Sequence, residues 1–304
     1  MKPAALNRVC YVTLGLLFSA TSFAQVVQFP VSFEASAAVL NATERAQVTS
    51  HVQAAGAIWM SNLVIGGNRS LEIVVGLDDT RPTANAGSVT SAFVANIMGR
   101  DTFEQGAAAE LRTGVDPNGA ADDIRITFNT TYLRNELWFD PNPSARVDPV
   151  PTNRTDAMSV VLHELGHAFA YNGFANLSNG QPPATFWSSF DRWIQPGANP
   201  TFAGPAAVAA YGTGTFLTIG NLFHWGNPGV VLNADTGTPP SMNADTAVAR
   251  ALAVDPLVPQ LMNGVVFFRG QRYAISALDR GVLSDVGLSL GAPPNAIFAN
   301  GFEN

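Results

Sequence analysis

Residues Ser159 to Leu177 read SVVLHELGHAFAYNGFANL and contain the pattern H-E-x-x-H, with His163, Glu164 and His167. On a helix, side chains four residues apart lie one turn apart on the same face, so both imidazoles can bind one metal ion. Zinc in a catalytic site usually has three protein ligands and an open position for water. The pattern therefore predicts two zinc ligands with a glutamate beside them that can act as a general base. It leaves a third ligand to be found.

The third ligand is not in the next turn of the chain. Many secreted enzymes with this motif continue H-E-x-x-H-x-x-G-x-x-H, and the last histidine completes the metal site. Here the glycine position is Ala170 and the last histidine position is Gly173. Beyond the motif the chain has one glutamate, in its C-terminal tail, and no cysteine. His224 and Asp191 therefore remain as candidates, and we expect His224 to be the ligand.

The two histidines outside the motif lie in different settings. His224 is in NLFHWGNPG, an aromatic-rich stretch bounded by turn residues, where a buried imidazole needs a polar partner. His51 lies among Gln, Thr and Ser in a predicted helix, and we interpret it as a solvated helix residue. Asp191, in SSFDRWI, is the alternative ligand if His224 is only structural.

The N-terminus of the chain predicts export. Lys2 and Arg8 precede an apolar run over Val9–Ala20, and a small-residue cleavage pattern ends at Ala24. This is the pattern of a secretory signal peptide of residues 1–24, so we expect a bacterial-type protein that is secreted, periplasmic or extracellular. The apolar run is too short for a membrane span, and we expect none in the mature chain.

Composition limits the classes of protein that fit. The 304 residues are 47% hydrophobic and 13% charged, with a net charge of −7, which is enough apolar material for one sizeable core. The only cysteine, Cys10, lies in the predicted signal peptide. The mature chain would then have no thiol, which excludes cysteine proteases, thiolate zinc ligands and disulfides. The acidic balance argues against nucleic acid as a partner, and we expect a monomer that acts on a protein or peptide substrate.

Hydrophobic periodicity predicts an α+β fold with a mixed N-terminal sheet. Strands are predicted in VVQFPVSFEA, LEIVVGLDD and DIRITFN. A helix is predicted over NATERAQVTSHVQAAGAIWMSNL, with one apolar stripe of Val48, Val52, Ala55 and Trp59. The strand DIRITFN, or one of its neighbours, would offer an edge to an extended peptide.

The motif lies on a second predicted helix, with Asn153 or Thr155 as its N-cap. Its predicted apolar stripe, which would leave the histidines on a separate ligand face, is Met158, Val161, Leu162, Leu165 and Phe169. Beyond Gly173 we expect a mostly irregular C-terminal lobe that ends in a helix with a capping box of Ser276 and Asp279. The predicted organisation is a signal peptide (1–24), a single catalytic domain (25–290, with an upper lobe of about 25–172 and a lower lobe of about 173–290) and a tail (291–304).

Four segments follow one another along the second half of the chain: HELGHAF, FHWG after a long insertion, PQLMNG and ISALDRGVLSDVGL. In this order they resemble the leishmanolysin-like branch of the metzincin-type zinc metalloproteases and related secreted bacterial proteins, over roughly Thr155–Leu288. In that branch an insertion displaces the third histidine, and a methionine turn follows. Ala170 departs from the family, which has glycine there to let the chain turn away, and Gly173 is the alternative turning residue.

The resemblance implies a metzincin-like fold and one catalytic Zn²⁺ bound by His163, His167 and His224. It makes Glu164 the catalytic acid/base and Met262 the methionine of the turn beneath the metal. Met242, in PSMNAD, is a second candidate for that methionine.

The function that follows is zinc-dependent hydrolysis of peptide bonds inside a protein chain. Three neutral imidazoles would leave zinc its full charge, which polarises a carbonyl and lowers the pKa of water to around neutrality. Glu164 would take the proton and pass it to the leaving amine. The alternative is an exported binding or surface protein on a degenerate protease scaffold. We also consider Ca²⁺ at DPNGAADD, Asp116–Asp123, although a lone acidic turn is more often only a turn.

Overall fold

The computed structural model describes residues 26–226, 257–264 and 267–292, and in these it confirms the α+β class. The α-helices are α1 (Ala42–Met60), α2 (Gly106–Thr113), α3 (Ala157–Phe169), α4 (Pro205–Tyr211) and α5 (Ala277–Asp285). The strands are β1 (Val27–Gln28), β2 (Val31–Phe33), β3 (Arg69–Ser70), β4 (Ile73–Leu77), β5 (Ala84–Ser88), β6 (Ser91–Ile97), β7 (Arg100–Gln105), β8 (Ile124–Phe128), β9 (Leu137–Trp138), β10 (Thr155–Asp156), β11 (Phe186–Ser188), β12 (Ile194–Gln195), β13 (Thr201–Phe202) and β14 (Thr215–Phe216). The predicted signal peptide, Met242 and most of the predicted tail lie outside the described residues.

The central sheet has the strand order β2-β4-β8-β5. The first three strands are parallel, and β5 pairs antiparallel with β8, so the sheet is mixed as predicted. Ile73, Val75, Ile124 and Ile126 are fully buried on its core face, which accounts for the alternation in DIRITFN. β8 lies between two partners, so it is not an edge strand; the edge strands of this sheet are β2 and β5, and β5 is the neighbour of β8.

Four further small sheets complete the described part. They have the orders β11-β7-β6, β12-β13-β14 and β9-β10, and β1 pairs with β3. The sequence left the hairpin β6–β7 and helix α2 unassigned, because these elements are rich in small and polar residues and carry little periodic signal. No helix in the described ranges is long and apolar enough to cross a membrane.

Helix α1 packs on the sheet with the predicted stripe. Val48, Val52, Ala55 and Trp59 are all fully buried. A capping box holds its N-terminus. The Asn41 side chain accepts hydrogen bonds from two backbone N–H groups, and the N–H of Asn41 donates to the Glu44 carboxylate. The indole Nε1–H of Trp59 donates to the Leu162 carbonyl at 2.9 Å, which ties α1 to α3.

The interpretation of His51 as a solvated residue is wrong. Its side chain is 1% exposed, its Nδ1 bonds the Gln47 carbonyl at 2.8 Å, and its Nε2 accepts the Asp140 N–H at 3.0 Å. The ring also packs edge-on against Phe139. Its chain neighbours are polar, but three-residue spacing from Val48 puts His51 on the buried side of α1.

Helix α3 carries the H-E-x-x-H motif and is buried along its whole length, so it has no separate exposed face. Its N-cap is Asp156, not Asn153 or Thr155: the Asp156 carboxylate accepts from the N–H and the hydroxyl of Ser159 at 3.1 and 2.6 Å. The predicted N-caps are wrong because the short strand β10 extends up to Asp156 and leaves it as the last non-helical residue.

The chain leaves α3 at Ala170, whose φ of −147° and ψ of −46° end the helix without a glycine. Gly173 does not have a positive φ, so it is not a left-handed turning residue. Its lack of a side chain matters instead, because a Cβ there would collide with the carboxylate of Asp191.

The described part of the chain after α3 has short strands, loops and two α-helices, in keeping with the predicted irregular lobe and final helix. The predicted capping box of α5 is confirmed, and Gly287, with a φ of 106°, follows the helix. Gly281 lets α5 approach α4 closely, since a Cβ there would lie 2.7 Å from the Ala207 backbone. The Asp285 carboxylate accepts two backbone N–H groups at the start of α4.

Candidate metal centre

Three pieces of chain meet around the motif. Helix α3 contributes His163, Glu164 and His167, and the segment after β14 contributes His224. The third piece is residues 257–264. Backbone hydrogen bonds join the segment of His224 to residues 257–264. The N–H of Trp225 donates to the Met262 carbonyl at 2.7 Å, and the N–H of Gly264 donates to the Trp225 carbonyl at 2.9 Å. The position of the distant histidine is therefore set by a backbone ladder.

The three histidines converge through their Nε2 atoms. The Nε2–Nε2 distances are 3.0 Å from His163 to His224, 3.0 Å from His167 to His224 and 3.2 Å from His163 to His167. Among the described residues, the group of candidate metal ligands here consists of these three side chains alone. The structure therefore brings together the three predicted ligands.

The opposite ring nitrogens show which tautomer each histidine adopts. The Nδ1 atoms of His163 and His167 lie 2.7 Å from the carbonyl oxygens of Leu261 and Tyr171, and that of His224 lies 3.1 Å from the Asn221 carbonyl. Because a carbonyl oxygen only accepts, each Nδ1 carries the proton. Each Nε2 is left with a lone pair, so three acceptors face one another.

Burial keeps these rings neutral. It lowers the pKa of His163 to about 3 and that of His167 to about 4, and it lowers the pKa of His224 well below its usual range. The nearby histidines act in the same direction on His163 and His224, whereas the hydrogen bonds to backbone carbonyls oppose the shift. Neutral imidazoles are the form that binds a metal ion.

The arrangement fits a tetrahedral zinc ion. Nitrogens at about 2.0–2.1 Å from such an ion lie roughly 3.3–3.4 Å from one another. The observed separations of 3.0 to 3.2 Å are slightly shorter than these values. Three converging lone pairs repel one another, and a bound cation would turn that repulsion into attraction.

Glu164 lies on the same helix, next to His163, and is 6% exposed. Burial raises the pKa of Glu164 to about 8, while a hydrogen bond with the backbone of Ala86 and the charge of Arg81 act to lower it. Ala86 is the central residue of the edge strand β5. The carboxyl group therefore lies between the histidines and the edge of the sheet.

Met262 packs against α3 directly behind the histidines. Its side chain is fully buried, and a Cβ built on Gly166 would lie 2.6 Å from its sulfur. Gly166 stands between the two histidines of the motif, so its missing side chain makes room for the methionine. The preceding residue, Leu261, accepts the hydrogen bond from His163. The turn at 261–262 thus supports both the helix and one imidazole.

The structure does not bring Asp191 to the histidines. Its carboxylate accepts hydrogen bonds from three backbone N–H groups, those of Phe174 at 2.7 Å, Ala175 at 3.3 Å and Ser188 at 2.9 Å. It organises the loop that follows α3. The sequence does not distinguish an aspartate that binds a metal ion from one that accepts backbone hydrogen bonds in a loop. Only the fold shows which role Asp191 has.

Sequence reasoning missed the groups that orient the imidazoles, namely the carbonyls of Leu261, Tyr171 and Asn221. Backbone carbonyls leave no residue-type signal, so no motif could have identified them. It also missed Tyr171, a fully buried residue whose hydroxyl donates to Asp279 at 2.8 Å. That bond links the exit of α3 to the capping box of α5.

A second group of candidate metal ligands lies elsewhere in the described part. It joins Asp116 and Asp123, from the predicted acidic segment, to Glu110 of α2, which the sequence did not single out. Burial raises the pKa of Glu110 to about 7.

Comparison with known proteins does not add to this picture. A scan against protein-family models and searches of curated proteins and solved structures found no match.

Proposed function

We propose that this chain is a secreted zinc-dependent endopeptidase with a metzincin-like catalytic domain. His163, His167 and His224 would hold one catalytic Zn²⁺, and Glu164 would be the general base. The observation that carries the proposal is the convergence of three unprotonated Nε2 atoms at 3.0 to 3.2 Å beside a buried glutamate. A structural zinc site would not need a carboxyl group in that position.

A zinc ion bound by three neutral imidazoles supplies a Lewis acid that polarises a peptide carbonyl and acidifies water. Glu164 takes the proton of the attacking water and delivers it to the leaving amine. Burial, which raises the pKa of Glu164 above its usual value, supports the first half of this role, because a raised pKa makes the carboxylate a stronger acceptor for that proton.

The edge strand β5 supports a peptide as the substrate. An extended segment can add to an open sheet edge through main-chain hydrogen bonds, and such binding does not depend on one side chain. Ala86 of β5 is bonded to the Glu164 carboxyl group, so a peptide aligned on that edge would pass the general base. The proposal therefore specifies an endopeptidase that binds its substrate in an extended form.

The remaining parts of the proposal follow the sequence. Residues 1–24 would direct export and be removed, and the mature chain would act as a monomer. Met262 would be the methionine of a metzincin-like turn, in keeping with its position against Gly166 behind two of the histidines.

The decisive experiment compares zinc content and peptidase activity in the mature wild-type protein and in Glu164→Gln. We expect about one zinc per chain in both proteins, and a loss of roughly a hundredfold to ten-thousandfold in turnover of a quenched fluorescent peptide library in the variant. Glu34→Gln is the control, because Glu34 forms a solvent-exposed ion pair with Arg125 and should change neither quantity.

Unchanged turnover in Glu164→Gln would show that another group is the base. A wild-type protein that binds zinc and cleaves no peptide in the library would instead favour an exported binding protein on a protease scaffold.

A further inference from the structure

A group of three carboxylates lies between α2 and the central sheet. Glu110 comes from α2, Asp116 from the loop 114–122, and Asp123 from the residue before β8. One carboxylate oxygen of each residue lies within 4.8 Å of the other two. Three parts of the chain that are separate in the secondary structure thus place negative charge at one point.

Two of these side chains carry buried oxygens that lack a hydrogen-bond donor. Glu110 is 6% exposed and Asp123 is fully buried. Neither Oε2 of Glu110 nor Oδ1 of Asp123 has a donor among the described residues. The other oxygen of Asp123 accepts the Glu72 N–H at 2.8 Å, so the side chain is held in place while Oδ1 stays unsatisfied. A buried acceptor without a donor is unfavourable because it has lost its water and gained no partner, so such oxygens call for a bound partner.

The third carboxylate completes the group from the solvent side. Asp116 is exposed, and its Oδ1 accepts the N–H groups of Asn118 and Gly119 at 2.8 Å each. These bonds fix the loop and leave the second oxygen of Asp116 available. A pocket of about 420 Å³ borders Glu110 and Asp116 and gives water and ions access to the group.

No positive side chain neutralises these carboxylates. In the described part of the chain, no ion pair within 4.0 Å involves Glu110, Asp116 or Asp123. Arg69 lies at the edge of the pocket, but its guanidinium donates to the backbone carbonyls of Glu110 and Asn68. Arg69 therefore donates to backbone oxygens, and the three carboxylates have no ion-pair partner in the described part of the chain.

We propose that Glu110, Asp116 and Asp123 bind one calcium ion, which ties α2 and the loop 114–122 to the start of β8. All the offered ligand atoms are oxygens, two of them are otherwise unsatisfied, and two of the three residues, Glu110 and Asp116, line an accessible pocket, so water can fill the remaining positions. Calcium takes six to eight oxygen ligands in flexible geometry, which suits a site built partly from a loop. This site is separate from the histidine group and does not depend on the proposed peptidase activity.

The titration behaviour of the group agrees with the geometry. Burial, followed by the charges of Asp123 and Asp116, raises the pKa of Glu110 to about 7, and burial raises the pKa of Asp123 to about 6. The folded chain therefore resists full ionisation of these carboxyl groups, and a divalent cation would remove that resistance.

The test is a calcium titration of the full mature protein, dialysed against calcium-free buffer that contains micromolar zinc so that the histidine group stays loaded. Isothermal titration with CaCl₂ should give one calcium per chain. At a calcium concentration about a hundred times the Kd, the Tm should rise by roughly 5–10 °C.

Glu110→Gln and Asp123→Asn should each weaken calcium binding by roughly tenfold or more, because the number of charged ligands sets the affinity of such sites. Asp116→Asn is a third variant at an exposed position, and it remains informative if a buried change impairs folding. Asp122→Asn is the matched control: it removes one charge beside the site, but Asp122 is not a member of the group.

Equal calcium affinity in Asp122→Asn and wild type, with weaker binding in the other three variants, would support the proposal. It would be overturned if the wild-type protein bound no calcium, or if Glu110→Gln and Asp123→Asn bound it as tightly as wild type. It would also be overturned if Glu110→Gln were more stable than wild type while calcium changed the Tm of neither, since the carboxyl groups would then share protons instead of a cation. Zinc content and peptidase activity are read separately, so none of these outcomes bears on the histidine group.

Discussion

The two groups of candidate ligands differ in how their atoms are satisfied without a metal. Each of the three histidines has its Nδ1 on a backbone carbonyl, and all three are held neutral by burial. The carboxylate group has two buried oxygens without donors, and burial raises the pKa of both Glu110 and Asp123. One group is oriented by the protein itself, whereas the other is incomplete without a proton or a cation.

Because of this difference, we expect a metal ion to have a different effect at each group. A group oriented by backbone carbonyls keeps its geometry when the metal leaves, so the metal adds chemistry to a finished structure. A group of unsatisfied carboxylates depends on the ion to hold its parts together, so the metal adds stability. We therefore expect zinc to control activity in this chain and calcium to control the stability of the region around the loop 114–122.

The largest effect should come from His224→Ala. Loss of one of three proposed ligands should lower zinc affinity by more than the roughly 10–100-fold that loss of an outer hydrogen-bond partner costs. After dialysis the variant should hold little zinc and have no peptidase activity, while its circular dichroism stays close to that of wild type. The measurement is zinc per chain by elemental analysis.

His51→Gln is the matched control for that experiment. His51 is even less exposed than the motif histidines, but its two ring nitrogens bond the backbone of Gln47 and of Asp140. The variant should keep its zinc and lose about 1–3 kcal/mol of unfolding free energy, the cost of disturbing a buried hydrogen-bonded group. Full zinc in His224→Ala, or empty protein in His51→Gln, would reverse the assignment of the two histidines.

Met262→Ala should act on the histidine group and leave the carboxylate group untouched. Removing this fully buried side chain should cost about 2–5 kcal/mol of unfolding free energy, because a cavity is left behind α3. Zinc affinity should fall by roughly 10–100-fold, since the same turn holds His163 through the Leu261 carbonyl. Unfolding in urea and zinc competition measure the two effects.

Met98→Ala is the control for that change, because Met98 is 89% exposed and should alter stability by no more than about 0.5 kcal/mol. Calcium affinity should be the same in both methionine variants and in wild type. A change of calcium affinity in Met262→Ala would show that the two groups are coupled.

The smallest expected effect is the pH dependence of the stability that the structural histidine His51 contributes. Burial is the main cause that lowers the pKa of His51 below its usual value of 6.5. The unfolded chain therefore takes up a proton at a higher pH than the folded chain does. The stability that His51 provides is present above that value and is lost as the pH falls below it.

The stability difference between wild type and His51→Gln should accordingly shrink between about pH 7.5 and about pH 5. Urea unfolding of both proteins at the two pH values, without calcium, measures it. A difference that stays constant across this range would mean that His51 does not carry the expected linkage.

Much of the framework could be predicted because it depends on local periodicity. Helix α1 has the predicted stripe, the strands β4 and β8 are buried as expected, and the capping box at Ser276 is present. The stretch that forms β5, β6 and β7 was not assigned, since its small residues gain their strand structure from pairing with distant segments. His51 was misjudged for a related reason, because its polar chain neighbours concealed a position on the buried side of the helix.

The candidate site, too, could be predicted from the sequence only in part. The spacing in H-E-x-x-H determined that His163, Glu164 and His167 share one part of a helix, since that follows from helix geometry alone. Elimination of other ligand types left His224 and Asp191, and only the folded chain brings one of them to the motif. Asp191 instead bonds three backbone N–H groups.

By itself the sequence determined the α+β class, the helix that carries the motif and the chemistry that two histidines and a glutamate offer. The tertiary structure decided which candidate lies beside the motif, which carbonyls orient the rings, which methionine packs behind the helix and which carboxylates Glu110 approaches. These contacts join residues far apart along the chain, and their free energy depends on distance and burial. Residue spacing encodes the geometry of one helix or strand, but it does not encode how separate elements approach one another.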